Sequence, residues 1–429
     1  MKKTLIHNAC IPGMPDGITR VLFDEDSILN VGGDELADAD EYIDAHGMLL
    51  LPGVIDAHVH FREPGLTHKA DIESESKAAL AGGVTSFFDM PNTVPPTTTF
   101  AAWQQKMVIA SNTSLANYAF FIGATNNNRE ELSKIDFSQI PGIKVFLGSS
   151  TGNLLVDDKE MLDFLFTNFK APIVVHAEDE STINYNKQAA LKHYSGNVPV
   201  FEHSNIRSVE ACVKATAGAL ELLSKHTDAH LHVAHISTSD EVELIRQAKK
   251  DGLNVTCEVS PHHLLFTVDD YERLGTRIKM NPAIKSASHR EALRRGVVEG
   301  VIDIIATDHA PHTAADKNGD ALTAMSGAPM VQFSLPVILD LFGADAALRT
   351  MAQNPAAIFG VERRGFIAPG YAPEMVLVEY SDAGYVVSDN DVLSKCGWTP
   401  LAGTMLHHRV VRTFLSKPEA LKFNHPSGI

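Results

Sequence analysis

The residues best suited to chemistry are histidines, of which the 429-residue chain contains 20, a high count. His58 and His60 are two positions apart at the end of the apolar run 54–59. Residues two apart in a strand point to the same face, so the two imidazoles would stand side by side, about 6–7 Å apart at Cα, and could bind one metal ion. Such a pair alone is weak evidence, because surface histidines also give this pattern.

Further side chains of ligand type follow later apolar runs. Lys144 lies inside the run 143–147, His176 ends 173–175, His235 follows 231–234 and Asp308 follows 304–307. Unrelated core histidines have no reason to fall so often at strand ends. The spacing therefore predicts a metal site that is made from His58, His60, Lys144, His176, His235 and Asp308.

Lys144 requires an explanation of its own, because an ammonium group inside an apolar strand is costly unless it is paired. An ordinary ion-paired lysine would meet that requirement. Alternatively, burial would favour the neutral amine, which could take up carbon dioxide and become a carbamate that bridges two metal ions. Such ions would hold a water as hydroxide at neutral pH, and Asp308 would then act as the general acid/base.

The elements that position these residues alternate between β-branched apolar runs and amphipathic segments from about residue 52 to 365. This alternation over roughly 300 residues predicts an α/β fold, a (β/α)8 TIM-type barrel, whose strand ends form the catalytic face. The eight predicted runs are Val54–Val59, Val84–Asp89, Asn117–Ile122, Gly142–Leu147, Ile173–His176, Ala229–Ile236, Leu253–Val259 and Val301–Thr307.

The two ends of the chain have a different pattern, with short strand-like pieces between Gly, Pro and Asp turns. Residues 1–51 and 366–429 are therefore predicted to form a small β-sandwich-like domain jointly, beside a catalytic barrel at 52–365. The predicted strands of the small domain are Val21–Phe23, Met48–Leu51, Met375–Glu379 and Val410–Phe414.

Composition excludes several classes of protein. The chain has 36 basic and 53 acidic side chains, a formal charge of −17, which argues against a nucleic-acid surface. Apolar runs are too short for a membrane span, and the first residues lack the apolar core of a secretory signal, so we expect a cytoplasmic protein. The four cysteines have no CxxC spacing, which indicates neither disulfides nor a thiolate zinc site.

Several longer motifs resemble the amidohydrolase superfamily and, within it, the dihydroorotase family. Hydantoinases and allantoinases share the candidate ligands, but residues 61–65 and 310–312 resemble dihydroorotases more closely. The motifs that carry the resemblance are Asp56-Ala57-His58-Val59-His60-Phe61-Arg62-Glu63-Pro64-Gly65, Met90-Pro91-Asn92-Thr93, Lys279-Met280-Asn281-Pro282 and Ala306-Thr307-Asp308-His309-Ala310-Pro311-His312.

The resemblance implies a role for each matching residue. His58, His60 and Asp308 would bind one zinc ion, His176 and His235 a second, and carboxylated Lys144 would bridge them. Arg62, Asn92 and His312 would hold the substrate carboxylate, Asn281 would contact the ring, and Gly327 would offer a backbone contact. Independently, the planar guanidinium of Arg62 suits a carboxylate.

The implied reaction is the reversible interconversion of L-dihydroorotate and N-carbamoyl-L-aspartate in pyrimidine synthesis. Zinc-activated hydroxide would attack the ring amide, and Asp308 would protonate the departing nitrogen. The partner is then a small-molecule substrate, with no nucleic acid and no membrane. The resemblance is also compatible with a homodimer and with an association with aspartate transcarbamoylase, and the residues decide neither.

Two alternatives stay open at this point. A hydantoinase, dihydropyrimidinase or allantoinase would turn over a neutral ring without depending on Arg62. A non-catalytic relative would keep the barrel as a scaffold and would be expected to lose metal ligands, whereas all six candidates are present here.

Three other groups of residues are predicted to lie outside the chemistry. His232 should point to the opposite face of its strand from His235 and belong to the core or an interface. His262 and His263 are predicted to be structural. Ser150 and Thr151 could belong to a loop that covers the substrate, but an ordinary surface turn is the preferred interpretation.

Overall fold

The computed structural model describes residues 2–13, 18–32, 38–148 and 154–425, so Ser150 and Thr151 lie outside the described residues. The strands are β1 Thr4–Cys10, β2 Ile18–Phe23, β3 Ile28–Val31, β4 Glu41–Asp44, β5 Leu49–Pro52, β6 Val54–Val59, β7 Val84–Asp89, β8 Asn117–Phe120, β9 Ile122–Gly123, β10 Ile143–Phe146, β11 Ile173–His176, β12 Leu231–Val233, β13 Val255–Val259, β14 Ile304–Ile305, β15 Met375–Val386 and β16 Met405–Phe414.

The α-helices lie mainly between the strands of the central region. They are α1 Ile72–Ala81, α2 Phe100–Thr113, α3 Arg129–Leu132, α4 Lys159–Asn168, α5 Glu180–Tyr194, α6 His203–Ile206, α7 Val209–Lys225, α8 Ser239–Lys250, α9 Pro261–Leu265, α10 Tyr271–Leu274, α11 Ala287–Val298, α12 Ser334–Phe342, α13 Ala344–Leu348 and α14 Asn354–Phe359.

The barrel consists of two parallel sheets, β6-β7-β8 and β14-β13-β12-β11-β10-β9. Only Phe121 separates β8 from β9, and its N–H donates to the carbonyl of Asp89 at 3.1 Å. On the other side, Val59 forms a parallel bridge with His309, and the His60 N–H donates to the His309 carbonyl at 2.7 Å. The eight predicted runs are therefore present as a TIM-type barrel, although the hydrogen-bonded strands are shorter than predicted at 229–236 and 301–307.

Apolar side chains alternate between the two sides of these strands. Phe88, Val174 and Ile304 belong to a core inside the barrel, whereas their neighbours Phe87 and Val175 belong to the core beneath the helices. The strands are buried on both faces, which explains why they read as continuous apolar runs in the sequence.

Side-chain caps define where the helices begin, and so where the loops of the catalytic face end. Asp71 accepts from the Ser74 N–H at 2.9 Å at the start of α1. Thr238 and Glu241 form a reciprocal capping box at the start of α8. Each cap satisfies backbone donors that the first helical turn would otherwise leave without a partner.

Both ends of the chain contribute to one seven-stranded sheet with the order β16-β15-β5-β1-β2-β3 and β4 beside β1. Met375 of β15 pairs with Pro52 of β5 in antiparallel register, which joins the two ends of the chain. The predicted small β domain of both termini is thereby confirmed, whereas its limits at 51/52 and 365/366 stay a prediction. Within the described residues no helix has both the length and the apolar character to cross a membrane.

The C-terminal segment closes the barrel at the end opposite the catalytic face. Ala420 bridges to Tyr118 near the start of β8, and the Phe423 N–H donates to the Ser138 carbonyl at 2.9 Å. The Phe423 ring contacts Phe88 inside the barrel, with ring centroids 5.5 Å apart. The barrel core therefore depends on a residue near the end of the chain.

Replacement of Phe423 by Ala should lower the free energy of unfolding by about 3 kcal/mol, because it leaves a cavity in the barrel core. Phe201, which is 50% exposed, is the matched control and should tolerate Ala with little change. Denaturant unfolding measures both variants. Equal stability of the two would contradict the role assigned to the C-terminal segment.

Candidate metal and substrate site

The catalytic face contains a small, polar cavity of about 60 Å³ at the C-terminal ends of the barrel strands. Except for His312, all the residues predicted from the sequence line it. They are His58, His60, Arg62, Asn92, Lys144, His176, His235, Asn281, Asp308 and Gly327. His312 lies behind the wall, in contact with Arg62.

His58, His60 and Asp308 form the first half of a candidate metal centre. One ligand atom from each lies within 4.8 Å of the others. His60 Nε2 is 3.0 Å and His58 Nε2 is 3.5 Å from Asp308 Oδ1. Although burial opposes it, the two imidazoles hold the pKa of Asp308 below its usual range, so this carboxylate is anionic at neutral pH.

Acceptors on the far side of each ring determine which nitrogen faces the cavity. His58 Nδ1 contacts Glu258 Oε1, and His60 Nδ1 donates to Asn92 Oδ1 at 2.7 Å. Each ring thus uses Nδ1–H outward and presents the Nε2 lone pair to the cavity, as ligands of a metal do. Burial lowers the pKa of His58, which favours the neutral form that binds metals.

His176 and His235 form the second half of the candidate centre. His176 Nδ1 lies 3.0 Å from His235 Nε2, and His176 Nε2 lies 2.8 Å from Glu178 Oε2. Glu178 is itself paired with Arg207. Burial lowers the pKa of both imidazoles, so they too are neutral at neutral pH.

Lys144 is fully buried within β10 and lines the same cavity as both histidine pairs. Its Nζ has no hydrogen-bond partner among the described residues. Burial lowers the pKa of Lys144 to about 8, against the opposing effect of Glu258 and Asp308. An appreciable fraction of this amine is therefore neutral near physiological pH.

These donors fit a divalent-metal centre. Four imidazoles and one anionic carboxylate converge on a buried cavity, a ligand set that suits zinc and related ions. The buried amine of Lys144, without a hydrogen-bond partner in the described part of the chain, also fits a site that some further group completes.

Arg62 and His312 form a second group beside the candidate metal centre. Arg62 Nε donates to the Pro311 carbonyl at 3.0 Å, and Arg62 Nη2 lies 3.0 Å from His312 Nε2. Burial lowers the pKa of Arg62 to about 10, so the guanidinium stays charged at neutral pH. No carboxylate of the described residues is bonded to Arg62, so this buried cation is well suited to an anion.

Asn281 and Gly327 occupy the remaining wall of the cavity. Asn281 Oδ1 accepts from His203 Nε2 at 3.0 Å, which leaves the amide N–H groups of Asn281 as donors. Gly327 has a φ of +135°, and a Cβ there would meet the Ala310 carbonyl oxygen at 2.6 Å. Only glycine fits this close approach of two backbone segments.

A segment of the small domain supports this wall. Trp398, between β15 and β16, donates its Nε1–H to the His312 carbonyl at 2.7 Å. Its ring also lies near two cations, with Arg277 at 5.4 Å and Lys317 at 5.8 Å from the ring centroid. The β domain therefore helps to fix the position of His312.

Three residues of the cavity have left-handed backbone conformations, namely Arg62 with a φ of 71°, His235 with 35° and Asp308 with 46°. Such values are uncommon for residues other than glycine and are often found at functional sites. At each position the chain turns sharply just after its strand. These turns direct the side chains back over the barrel.

The prediction for His232 is partly wrong. His232 is buried, as expected, but it does not lie on the opposite side from His235. Both residues contact the carboxylate of Glu258: His232 Nε2 lies 3.2 Å from Oε2, and the backbone N–H of His235 donates to Oε1 at 3.3 Å. The strand ends at Val233, and the φ of 35° at His235 turns its side chain inward, so strand alternation no longer applies.

The adjacent His262 and His263 lie in α9 and not in a strand. His263 donates to the Pro282 carbonyl at 3.0 Å, and neither residue lines the cavity. This agrees with the structural role that was predicted.

Sequence analysis missed two carboxylates of the site, Glu258 and Glu178. Glu258 had a usable signal, because it is a charged residue in an apolar strand, as Lys144 is. Glu178 follows His176 by two positions and had no comparable signal. Both are fully buried and contact histidines of the candidate centre.

Comparison with known proteins identifies the family. Residues 49–402 match the model of the amidohydrolase family. The chain therefore belongs to the amidohydrolase family, whose members depend on metal ions.

Individual relatives in sequence indicate a narrower group within this family. A dihydroorotase of Halobacterium salinarum is 38% identical over 374 residues, 85% of each chain. A dihydroorotase of Methanosarcina acetivorans is 34% identical over 401 residues, which cover 89% of this chain and 84% of that protein. The resemblance to dihydroorotases predicted from the motifs is confirmed.

A solved structure represents the alternative family. The L-hydantoinase (dihydropyrimidinase) from Arthrobacter aurescens has a TM-score of 0.91 with this chain at 27% identity, covering 98% of this chain and 97% of that one. This similarity confirms the predicted fold class.

Glu258→Gln should weaken zinc binding by about 10-fold or more, because it removes the negative charge that orients His58 and strengthens it as a ligand. A competition titration with a chromophoric chelator measures this affinity. Glu241→Gln is the control, since Glu241 is equally buried but caps α8. Equal zinc affinities in the two variants would contradict the role of Glu258.

Proposed function

We propose that this chain is a dihydroorotase, which hydrolyses L-dihydroorotate to N-carbamoyl-L-aspartate and catalyses the reverse cyclisation. The observation that carries the proposal is the pairing of two groups in one cavity. Converging imidazole and carboxylate ligands and the buried cation Arg62 line the same cavity. A cyclic amide that bears a carboxylate is complementary to both.

Arg62, His312 and Asn92 are the proposed anchors of the substrate carboxylate. Arg62 provides the fixed positive charge, and His312 Nε2 lies 3.0 Å from its Nη2. The Asn92 side chain has its oxygen engaged by His60, so its amide N–H groups are left to donate. Asn281 and the backbone at Gly327, which also line the cavity, are the proposed contacts of the substrate ring.

His58, His60, His176, His235, Lys144 and Asp308 are the proposed metal ligands, with carboxylated Lys144 as the bridge. Divalent ions, when bound there, polarise the amide carbonyl and lower the pKa of a water molecule. Ligand atoms of His58, His60 and Asp308 lie within 4.8 Å of one another, close enough to share one ion.

Asp308 is the proposed proton carrier. In the hydrolytic direction its carboxylate accepts a proton from the attacking water and then delivers that proton to the departing ring nitrogen. Its position between His58 and His60 and above the cavity allows both transfers without a large movement. In the cyclisation direction the same carboxylate takes the proton from the carbamoyl nitrogen.

The finer parts of this proposal rest on the family resemblance. They are zinc as the metal, carboxylation of Lys144, a cytoplasmic location and a place in pyrimidine synthesis. A homodimer and an association with aspartate transcarbamoylase rest on the same ground.

A hydantoinase activity is the second candidate, because the fold is so similar to that of L-hydantoinase. An assay of purified protein on L-dihydroorotate, N-carbamoyl-L-aspartate, hydantoin and dihydrouracil separates the two. Turnover of the first pair supports the proposal. Turnover of the neutral rings alone would move the function to the hydantoinases.

Asp308→Asn should lower kcat for L-dihydroorotate by about 100-fold or more, because the amide cannot carry the proton. Circular dichroism should show that the fold is retained. Asp316→Asn, at a carboxylate outside the cavity, is the control for a change of the same type. Near-normal turnover by the Asp308 variant would contradict the assignment.

Arg62→Met should lower kcat/KM for L-dihydroorotate by about 100-fold, since a charge-assisted contact with the carboxylate is lost. Any residual turnover of dihydrouracil, which has no carboxylate, should change much less. Arg246→Met, at a surface arginine paired with Glu299, serves as the control. Equal losses on both substrates would show that Arg62 does not recognise the carboxylate.

A further inference from the structure

A buried lysine lies behind the proposed carboxylate anchors and has no role in the mechanism above. Lys69, in the loop between β6 and α1, is only 7% exposed. Its Nζ lies 3.1 Å from His312 Nδ1 and 3.7 Å from Asp316 Oδ2. The lysine therefore contacts the ring nitrogen of His312 that faces away from Arg62.

These contacts determine the tautomer of His312. A lysine ammonium can only donate, so His312 Nδ1 must accept and carry no proton. The other ring nitrogen, Nε2, lies 3.0 Å from the Ser326 carbonyl oxygen, which can only accept. Both neighbours thus require the neutral imidazole with its proton on Nε2.

The tautomer of His312 decides what Arg62 can bind. With the proton on Nε2, this N–H donates to the Ser326 carbonyl, and Arg62 Nη2, which can also only donate, lies 3.0 Å away without an acceptor in His312. A carboxylate oxygen would satisfy this N–H of Arg62. With the proton on Nδ1, the Nε2 lone pair would instead accept from Arg62, and that N–H would no longer be free for an anion.

We propose that Lys69 is a positioning residue that holds His312 in the Nε2–H tautomer and so keeps the adjacent N–H of Arg62 available as a donor for the substrate carboxylate. This proposal rests on the dihydroorotase function proposed above, because it concerns a substrate with a carboxylate. Lys69 acts through His312 and lies outside the cavity itself.

The surroundings of His312 support a neutral ring. Burial and the nearby charges of Arg62, Lys69 and Lys317 lower the pKa of His312, so the doubly protonated imidazolium is disfavoured at neutral pH. Lys317 cannot replace Lys69, because its Nζ donates to the carbonyls of Lys279, Met325 and Gly327.

Steady-state kinetics on L-dihydroorotate test the proposal. Lys69→Met keeps the length of the side chain but removes the donor, and should raise KM by about 10-fold or more with kcat within about twofold. Lys69→Arg restores a charged donor and should recover most of the affinity. An unchanged KM in the Met variant, or an Arg variant as impaired as the Met variant, would overturn the proposal.

Lys395→Met is the matched control. Lys395 donates to Asp71 and to the Thr67 carbonyl, so it braces the same loop as Lys69 without contacting His312. This variant should leave KM unchanged. A rise equal to that of the Lys69→Met variant would show that loop structure is the cause and would also overturn the proposal.

Long-range ¹⁵N–¹H spectra of the ¹⁵N-histidine protein report the tautomer directly, without substrate. The His312 signals are assigned by their loss in His312→Gln. The free wild-type protein should show the Nε2–H tautomer at pH 7.5, and Lys69→Met should lose that preference. An Nδ1–H tautomer or an imidazolium in the wild type would overturn the proposal even if Lys69→Met fails to fold. Inactivity of the wild type on L-dihydroorotate would instead count against the proposed function.

Discussion

The contact between Glu258 and His58 is the interaction on which the arrangement of the site depends. A carboxylate sealed inside the barrel must be surrounded by donors, and Glu258 receives them from His58, His232 and the backbone of His235. His58 contacts Glu258 through Nδ1 and so presents Nε2 to the cavity. Asn92 has the same effect on His60. These two acceptors thus orient the Nε2 lone pairs of both rings toward the cavity.

The cavity combines two kinds of hydrogen-bonding character. Around Lys144 the histidines present lone pairs, which suits cations, whereas Arg62 presents N–H groups, which suits anions. The group that contacts the far nitrogen of each histidine ring sets this difference: it is an acceptor, Glu258, at His58 and a donor, Lys69, at His312 beside Arg62. Histidine therefore serves two purposes, one in the cavity and one behind its wall, and a substrate that combines an amide with a carboxylate suits both.

Much of this arrangement could be predicted from the sequence, because parallel strands deliver their C-terminal residues to one face. That rule placed His58, His176 and Asp308 correctly. It failed for His232, which was expected on the opposite side from His235, because a left-handed backbone at His235 turns that side chain inward, a conformation that no periodic pattern reveals. Contacts such as that of Lys69 with His312 join residues 243 positions apart through two loops, so spacing could not predict them.

We propose that the converging donors hold a metal centre bridged by Lys144. The metal content of the purified protein by mass spectrometry, together with ¹³C NMR after preparation in ¹³C-bicarbonate, tests this directly. A bridged centre predicts about two divalent ions per chain and a carbamate signal that disappears in Lys144→Met. Active protein without bound metal, or without a carbamate signal, would contradict it.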